Sequence, residues 1–350
     1  MTPRAAVPRP APDLDSAHDP GVGAAAKRAE RAIEAIPPAL IGAPIPWGTN
    51  DSREIRIGTA SWTDPTMTRS GVFYPRGVSS AEDRLRYYAS QFPVVEVDSS
   101  YYSLPERTTA ALWAERTPRN FVFFAKVHAL MTGQPTEVAR LPPDIAELLP
   151  DELAKKSKLY AKDLPLELQD MVWDRFIDAL GPLIDADKLG GLLLQYPRWF
   201  LPNPENKHQI AQSAERLRGI PVAVEFRNRM WYGSERSTQW TLDMLRDLSL
   251  THVIVDGPQG LTSSVPAVAA VTTPSLSIVR LHGRRAATWE AAKVPTVERY
   301  RYLYSPQELT GIVEKIEDAA SEAEEIVVLA NNCYSNYGAT TARELTALLA

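Results

Sequence analysis

Short runs of β-branched and apolar residues recur along the chain from residue 53 onward, and turn residues bound each run. Stretches with apolar residues at helical spacing separate most of these runs, which predicts alternating strands and helices. The predicted strands cover residues 55–60, 94–98, 121–127, 189–195, 222–226, 251–256, 277–282 and 326–331. Nearly continuous apolar strands in this alternation indicate a parallel sheet that is buried on both faces.

The predicted helices carry recognisable start signals. Ser305, Pro306 and Glu308 form a capping box with proline at the first helical position, where its missing N–H costs nothing. Further helices are predicted over residues 80–92, 107–116 and 165–183. Two segments interrupt the alternation: residues 141–165 form an insertion rich in proline and charge before the fourth strand, and residues 257–274 are too rich in proline and threonine for a helix.

Two architectures fit eight parallel strands, a closed (β/α)8 barrel and an open doubly wound sheet. A nucleotide-binding open sheet normally has a glycine-rich turn after its first strand. The first turn here, Gly58-Thr59-Ala60-Ser61-Trp62, has neither the G-x-G-x-x-G nor the P-loop spacing. We therefore predict a single (β/α)8 TIM-like barrel over residues 51–350.

The first 50 residues differ in composition from the rest of the chain. They hold nine of its 29 prolines, are rich in alanine and show no sustained strand pattern. Such a segment buries too little apolar surface to offset the entropy lost on ordering. We predict a disordered Pro/Ala-rich tail over residues 1–50, with one short helix over residues 24–36.

Composition limits the class of protein. The chain has 350 residues and a net charge of −5, which argues against a protein that binds mainly by covering phosphates with positive charge. The single cysteine, Cys333, excludes an internal disulfide and a cysteine-based zinc cluster. Since no apolar run reaches 18 residues and the N-terminus has no signal-peptide pattern, we predict a cytoplasmic protein with no membrane partner.

Nearly every predicted strand ends in polar or ionisable residues. In a TIM barrel the C-terminal strand ends meet at one mouth, the usual place of the active site. Taken singly, such residues have structural explanations, for example an ion pair between Glu225 and Arg227 or a turn cap by Asn331. Taken together, they predict a functional site. These residues are Glu96, Asp98, Lys126, His128, Gln195, Glu225, Arg227, Asp256, Arg280, His282, Arg284, Asn331 and Asn332.

Several sequence words resemble the DUF72 (YecE-like) family. They are Gly58-Thr59-Ala60-Ser61-Trp62, Phe73-Tyr74-Pro75, Val95-Glu96-Val97-Asp98-Ser99-Ser100-Tyr101-Tyr102, Glu225-Phe226-Arg227, Arg280-Leu281-His282-Gly283-Arg284 and Asn331-Asn332. The resemblance runs from about residue 53 to the C-terminus and implies a TIM barrel without an established biochemical activity. Where the family usually has a histidine after the third strand, this chain has Thr132-Gly133-Gln134, so any role of that histidine as a ligand or base is altered here.

The ionisable strand-end residues suggest acid–base chemistry. We predict Glu96, Lys126, Glu225 and His282 as catalytic residues, because carboxylates in different environments take different protonation states. Arginines present a rigid fork that matches phosphate or carboxylate oxygens, which points to a small polar or anionic ligand. The alternative is that Arg280 and Lys126 only neutralise the two glutamates inside the barrel.

A wider set of residues is predicted to bind the substrate. Three aromatic residues in it, Trp62, Tyr102 and Trp231, follow strand ends, where they would stack on a sugar or an unpaired base. The alternative for such rings is that they plug the barrel. The full set is Trp62, Asp98, Tyr102, His128, Gln195, Arg227, Trp231, Asp256, Arg280, Arg284, Asn331 and Asn332.

Three functional hypotheses follow. The first is an enzyme, a hydrolase or an isomerase, that acts without a cofactor on an anionic (phosphorylated) or sugar-like substrate. The second is a non-catalytic protein that binds nucleic acid or a nucleotide. The third is a metal-dependent phosphodiesterase resembling endonuclease IV-like barrels, with a divalent metal on His128, His282, Glu96 and Glu225. Neither H-x-H nor H-E-x-x-H spacing supports the metal.

Overall fold

The computed structural model describes residues 19–48 and 53–350. Within these residues the strands are β1 (Ile45–Pro46), β2 (Glu54–Thr59), β3 (Val94–Val97), β4 (Val122–Lys126), β5 (Thr136–Glu137), β6 (Lys158–Leu159), β7 (Leu189–Tyr196), β8 (Val222–Phe226), β9 (Thr251–Asp256), β10 (Leu276–Leu281) and β11 (Glu325–Ala330). The α-helices are α1 (Val22–Ala35), α2 (Pro65–Ser70), α3 (Ala81–Ala89), α4 (Arg107–Glu115), α5 (Pro143–Glu147), α6 (Asp151–Ala154), α7 (Leu166–Asp185), α8 (Pro204–Arg216), α9 (Glu235–Asp247), α10 (Ala286–Trp289), α11 (Thr296–Arg299), α12 (Pro306–Glu322) and α13 (Tyr337–Leu349). Short 3₁₀ turns cover Pro38–Leu40, Asp98–Tyr101, Ala129–Thr132, Val138–Arg140, Ala161–Asp163 and Arg229–Tyr232.

Eight of these strands close into one parallel barrel in the order β2, β3, β4, β7, β8, β9, β10 and β11. The predicted TIM-like barrel is confirmed, and each predicted strand agrees with the structure to within one residue at either end. The agreement has a local cause, because strands buried on both faces need continuous apolar runs and turn residues stop them.

Most helices lie between consecutive barrel strands, as the alternation predicts. The capping box that begins α12 is present: Ser305 Oγ accepts from the N–H of Glu308, and Glu308 Oε2 accepts from the N–H of Ser305. The predicted insertion before the fourth barrel strand, β7, contains the short helices α5 and α6 and the strand β6. As predicted, the described residues between β9 and β10 contain no helix. No described helix combines the length and the apolar character needed to cross a lipid bilayer.

Helix α1 covers helix α13 on the outside of the barrel. Its buried face consists of Ala25, Ala29 and Ala32, whose small side chains allow the two helices to lie close together. Arg28 fixes the contact by donating two hydrogen bonds to Glu344, on α13, and one of 2.6 Å to a backbone carbonyl just before α12.

The predicted disordered tail is therefore wrong for residues 19–48, although the short helix within it is confirmed. The strand β1 adds to this correction, since it pairs antiparallel with β2 and places Ile45 opposite Ile55. The apolar partners of this arm, which we define as residues 19–48, exist only in the folded barrel, so composition alone could not indicate them. Residues 1–18 and 49–50, the rest of the predicted tail, lie outside the described residues.

The barrel closes at the seam between β2 and β3. The hydroxyl of Tyr88 lies in this seam, where it accepts from the N–H of Thr59 at 2.8 Å and donates to the carbonyl of Val94 at 3.1 Å. A Cβ atom at Gly58 would lie 2.0 Å from the carbonyl oxygen of Val94. The close approach of the two strands thus requires glycine at position 58.

We expect Gly58→Ala to lower the free energy of unfolding by about 3 kcal/mol, at the upper end of overpacking costs, because the clashing atom belongs to the backbone and cannot rotate away. The matched control is Gly311→Ala in α12, where an added Cβ meets no atom within 4 Å. This control should gain about 0.5–1 kcal/mol. Urea unfolding followed by circular dichroism measures both variants, and equal stability of the two would contradict the seam argument.

Candidate functional site

Arg280 lies at the centre of a buried ion cluster at the C-terminal end of the barrel. Its Nε and Nη2 donate to the two carboxylate oxygens of Glu96 at 3.0 and 2.7 Å, and its Nη1 donates to Oε2 of Glu225. None of the three side chains is more than 1% exposed. Because a buried charge is costly unless it is paired, the arginine is what allows two carboxylates inside the barrel. Arg280 therefore neutralises Glu96 and Glu225, which is the role that the sequence left open for it.

Glu225 has further partners that Glu96 lacks. Its Oε1 accepts from Gln195 Nε2 at 2.8 Å and lies 3.1 Å from Nε2 of His282. Arg227 Nε also lies in ion-pair contact with Oε1, although without the alignment of a hydrogen bond. The other ring nitrogen of His282, Nδ1, lies 2.8 Å from the amide nitrogen of Asn331. With that amide as donor, the imidazole carries its proton on Nε2 and donates it to Glu225.

These unequal surroundings give the two glutamates different pKa values. Burial raises the pKa of Glu96 to about 7, since desolvation outweighs the attraction of Arg280. Burial acts in the same direction on Glu225, but Arg227 and Arg280 outweigh it and hold the pKa of that carboxyl well below its usual range. Burial and Arg227 lower the pKa of His282 to about 3, so the imidazole is neutral near pH 7. Near neutrality, Glu96 is therefore the group of this cluster that exchanges a proton, while Glu225 stays ionised.

A second cation lies beside this cluster. The ammonium of Lys126 is 3.0 Å from Oδ1 of Asp98 and 4.3 Å from the ring centre of Tyr101. Although burial opposes it, the attraction of Asp98 raises the pKa of Lys126, so this side chain is a fixed ammonium. Lys126 thus pairs with Asp98 rather than with either glutamate.

Two glutamine amides connect the β3 side of the mouth to the β7 side. The hydroxyl of Tyr101 donates to Oε1 of Gln134 at 2.7 Å, and Nε2 of Gln134 donates to the carbonyl of Gln195 at 3.1 Å. The side chain of Gln195 then reaches Glu225. Position 134, where the resemblance leads one to expect histidine, therefore lies at the mouth.

A cavity of about 460 Å³ opens at this end of the barrel, within the usual size range of small-molecule sites. Gln134, Gln195 and Arg227 line it together with residues that the sequence did not single out as site residues. Those additional residues include Arg198, Trp199, Trp289, Arg299 and Tyr300. The signal for Arg198 and Trp199 was present, because they lie in the loop that begins with Pro197 at the end of β7.

Two predicted stacking residues belong to the core instead. Trp62 is 6% exposed and packs edge-on against Trp113, with ring centres 5.6 Å apart. Trp231 is fully buried, stacks on Phe226 at 4.0 Å and donates its indole N–H to the carbonyl of Phe200. The prediction that both rings stack on a ligand is wrong, since both rings are buried against other aromatic side chains. Tyr102 remains exposed, at 44%.

Other strand-end residues form separate contacts. Arg284 donates to both oxygens of Asp256 at 2.8 and 2.7 Å, and the hydroxyl of Tyr304 donates to the same carboxylate. Asn332 donates to the backbone carbonyl of Tyr302 and to the hydroxyl of Thr341, which anchors the loop after β11. Among the described residues these contacts do not include the Arg280 cluster, so the predicted binding of substrate by Asp256, Arg284 and Asn332 stays a prediction.

His128 is the second histidine that follows a barrel strand. It is buried 3.5 Å from the hydroxyl of Thr136, and burial lowers its pKa to about 4. Across residues 19–48 and 53–350, no group of three or more His, Cys, Asp or Glu side chains is arranged to hold a metal ion. The alternative ligand set is not assembled, because Arg280 binds both oxygens of Glu96 and both ring nitrogens of His282 have partners.

Residues 56–350 match the model of a protein family described as "Protein of unknown function DUF72". The chain belongs to the DUF72 family. The UPF0759 protein YunF of Bacillus subtilis is 27% identical to it over 298 residues, which are 84% of this chain and 94% of YunF.

Two solved DUF72 structures are similar to this chain, each at 26% identity. The one from Enterococcus faecalis V583 has a TM-score of 0.64 and covers 85% of this chain and 98% of its own. The one from Thermotoga maritima MSB8 has a TM-score of 0.66 and covers 84% and 98%. These relatives support the barrel, and no specific activity is established for the family by them.

The protonation of Glu96 should make the free energy of unfolding depend on pH. Because the folded pKa lies above the ordinary value of 4.5, the folded state holds the proton more tightly than the unfolded state. The resulting stability is fully present below pH 4.5 and is lost as the pH rises through about 7. Relative to Glu96→Gln, the native protein should therefore lose free energy of unfolding across this range in urea titrations. A difference that does not vary with pH would contradict the assignment.

We expect Arg280→Met to lower the free energy of unfolding by about 3–5 kcal/mol, because it leaves two buried carboxylates without their cation. Adding Glu96→Gln and Glu225→Gln to the same chain should recover part of the loss. The control is Arg218→Met, since that side chain is 77% exposed and should change stability by no more than about 0.5 kcal/mol. Similar losses for the Arg280 and Arg218 variants in urea unfolding would contradict the central role of Arg280.

Proposed function

We propose that this DUF72 protein is an enzyme whose barrel mouth performs acid–base chemistry on a small anionic or sugar-like substrate. The observation that carries the proposal is the unequal set of contacts made by the two glutamates on Arg280. Glu225 also accepts from Gln195 and contacts Arg227 and His282, whereas Glu96 accepts from Arg280 alone among the described residues. Two carboxylates that share one guanidinium, with one pKa near neutrality and the other well below it, form the pattern by which enzymes assign acid and base roles.

Each predicted catalytic residue takes a role from its contacts. Glu96 is the proton carrier, and the ammonium of Lys126 is the cation that stabilises negative charge on a substrate oxygen. Glu225 is a fixed anion that holds Arg280 and Arg227 in place. His282, which is fully buried with both nitrogens bonded, is a positioning residue between Glu225 and Asn331.

Of hydrolysis and isomerisation, the geometry favours isomerisation. Hydrolysis by a carboxylate pair needs the second carboxylate as a base or nucleophile, whereas Glu225 is held by Gln195, Arg280 and His282 together. Among the described residues, Glu96 has Arg280 as its one hydrogen-bond partner. A single proton carrier beside an ammonium suits a hydroxy-carbonyl compound. The proton passes from carbon to the carboxylate of Glu96 and returns to the neighbouring carbon. The electron pair of the C–H bond forms the C=C bond of an enediolate, while the carbonyl π pair becomes an oxyanion. The hydroxyl proton then moves to that oxygen, and a new carbonyl forms on the carbon that lost its proton, so that the atoms of the product equal those of the substrate.

The binding of nucleic acid has less support. Two of the three rings expected to stack on bases, Trp62 and Trp231, lie in the core. The carboxylate pair also has no use in holding an anionic strand.

The test is exchange of substrate C–H protons with solvent deuterium, followed by proton NMR on a panel of free and phosphorylated aldoses and ketoses. The native protein should exchange a proton next to the carbonyl of at least one class, and Glu96→Gln should slow this exchange about 10²-fold or more. The control is Glu82→Gln, which changes a surface carboxylate that is 44% exposed. Absence of exchange with the whole panel, or an unchanged rate in Glu96→Gln, would reject the proposal.

A further inference from the structure

Three arginines from three different connections between barrel strands line the mouth cavity. Arg198 follows β7, Arg227 follows β8, and Arg299 is the last residue of α11. Among the described residues that line the cavity, Glu290 is the one acidic side chain. Its Oε1 already accepts from the N–H and the hydroxyl of Ser263 at 2.7 and 2.8 Å. The cavity wall is therefore cationic, although the chain as a whole is acidic.

Arg227 is held in a fixed position at the cavity. Its Nε faces Glu225, and its guanidinium carbon lies 5.4 Å from the ring centre of Trp289. Its side chain is 13% exposed, and no hydrogen bond joins its Nη1 or Nη2 to another described residue. An arginine fixed on two sides with free Nη donors loses little entropy when it binds an oxyanion.

The other two arginines also have donors to spare. Arg299 donates through Nη2 to the carbonyl of Ala291 at 3.1 Å, while its Nε is buried without a partner. Arg198 is exposed, and its carbonyl is fixed by the side-chain amide of Asn228. A carboxylate, with two oxygens, is satisfied by one guanidinium fork, whereas a phosphate monoester has three terminal oxygens for donors that come from several sides.

The remaining lining suits a hydroxylated carbon skeleton. Gln134 and Gln195 line the cavity, and the amide oxygen of Gln195 accepts no hydrogen bond from another described residue. Trp199, 53% exposed, and Tyr300 supply aromatic faces of the kind on which sugars stack.

We infer that this cavity binds the phosphate group of a phosphorylated polyhydroxy compound, with Arg227 as its main anchor and Arg198 and Arg299 as additional donors. The inference rests on the proposed function, because the phosphate would hold the substrate whose carbon skeleton extends towards the glutamate pair. It narrows the anionic or sugar-like class to sugar phosphates.

Isothermal titration calorimetry with inorganic phosphate, fructose 6-phosphate and fructose tests the inference. The native protein should bind fructose 6-phosphate at least tenfold more tightly than fructose, and inorganic phosphate should compete with it. Arg227→Gln should weaken binding of fructose 6-phosphate tenfold or more, and Arg299→Gln should weaken it less. Arg218→Gln, on the exposed segment after α8, should leave binding unchanged.

Equal affinity for fructose and its phosphate, or native-like phosphate binding by both Arg227→Gln and Arg299→Gln, would overturn the inference. Arg299→Gln tests the inference even if Arg227→Gln does not fold, because the Arg299 side chain lies on a short helix outside the Glu225 cluster. Phosphate binding that depends on Arg227, without proton exchange on any substrate, would confirm the anion site and reject the enzyme. Proton exchange on unphosphorylated sugars, without phosphate binding, would confirm the enzyme and reject the anion site.

Discussion

Two carboxylates and one guanidinium meet inside this barrel, and the organisation of the mouth depends on their pairing. Arg280 on β10 connects to Glu96 on β3 and to Glu225 on β8, so that one side chain joins three strands across the barrel interior. In a medium of low dielectric, such a cluster is stable only while every charge keeps its partner. This constraint fixes the positions of the two glutamates and, through Glu225, those of Gln195, Arg227 and His282.

The different pKa values of Glu96 and Glu225 follow from their different partners, since both residues are glutamates. Glu225 receives a second arginine, an amide and an imidazole N–H, whereas Glu96 shares Arg280 and has Lys126 only at longer range. Two glutamates of equal intrinsic acidity therefore take different protonation states. Arg227 links this buried layer to the cavity above it, because the same guanidinium contacts Glu225 on one side and the ring of Trp289 on the other.

The arm of residues 19–48 contacts, from outside the barrel, the segment that leads to the mouth. Arg28 donates to the carbonyl of Tyr304, and Asp19 pairs with Arg301 at 2.6 Å. Arg301 lies two residues beyond Arg299 and directly after Tyr300, both of which line the cavity. The arm, whose composition is typical of a disordered tail, thus contacts the segment that forms one wall of the mouth.

By itself, the sequence determined the strand positions, the barrel and the end of the barrel where polar side chains gather. These features depend on local signals, since an apolar run, a capping box such as that of Ser305, and a polar strand end can each be recognised without knowledge of distant partners. Only the tertiary structure decided which strand-end residues form one cluster and which of the two glutamates has the higher pKa. It also decided that Trp62 and Trp231 belong to the core and that the arm is ordered. Each of these outcomes depends on contacts between residues far apart in the chain, and burial and partner charges act through space rather than along the sequence.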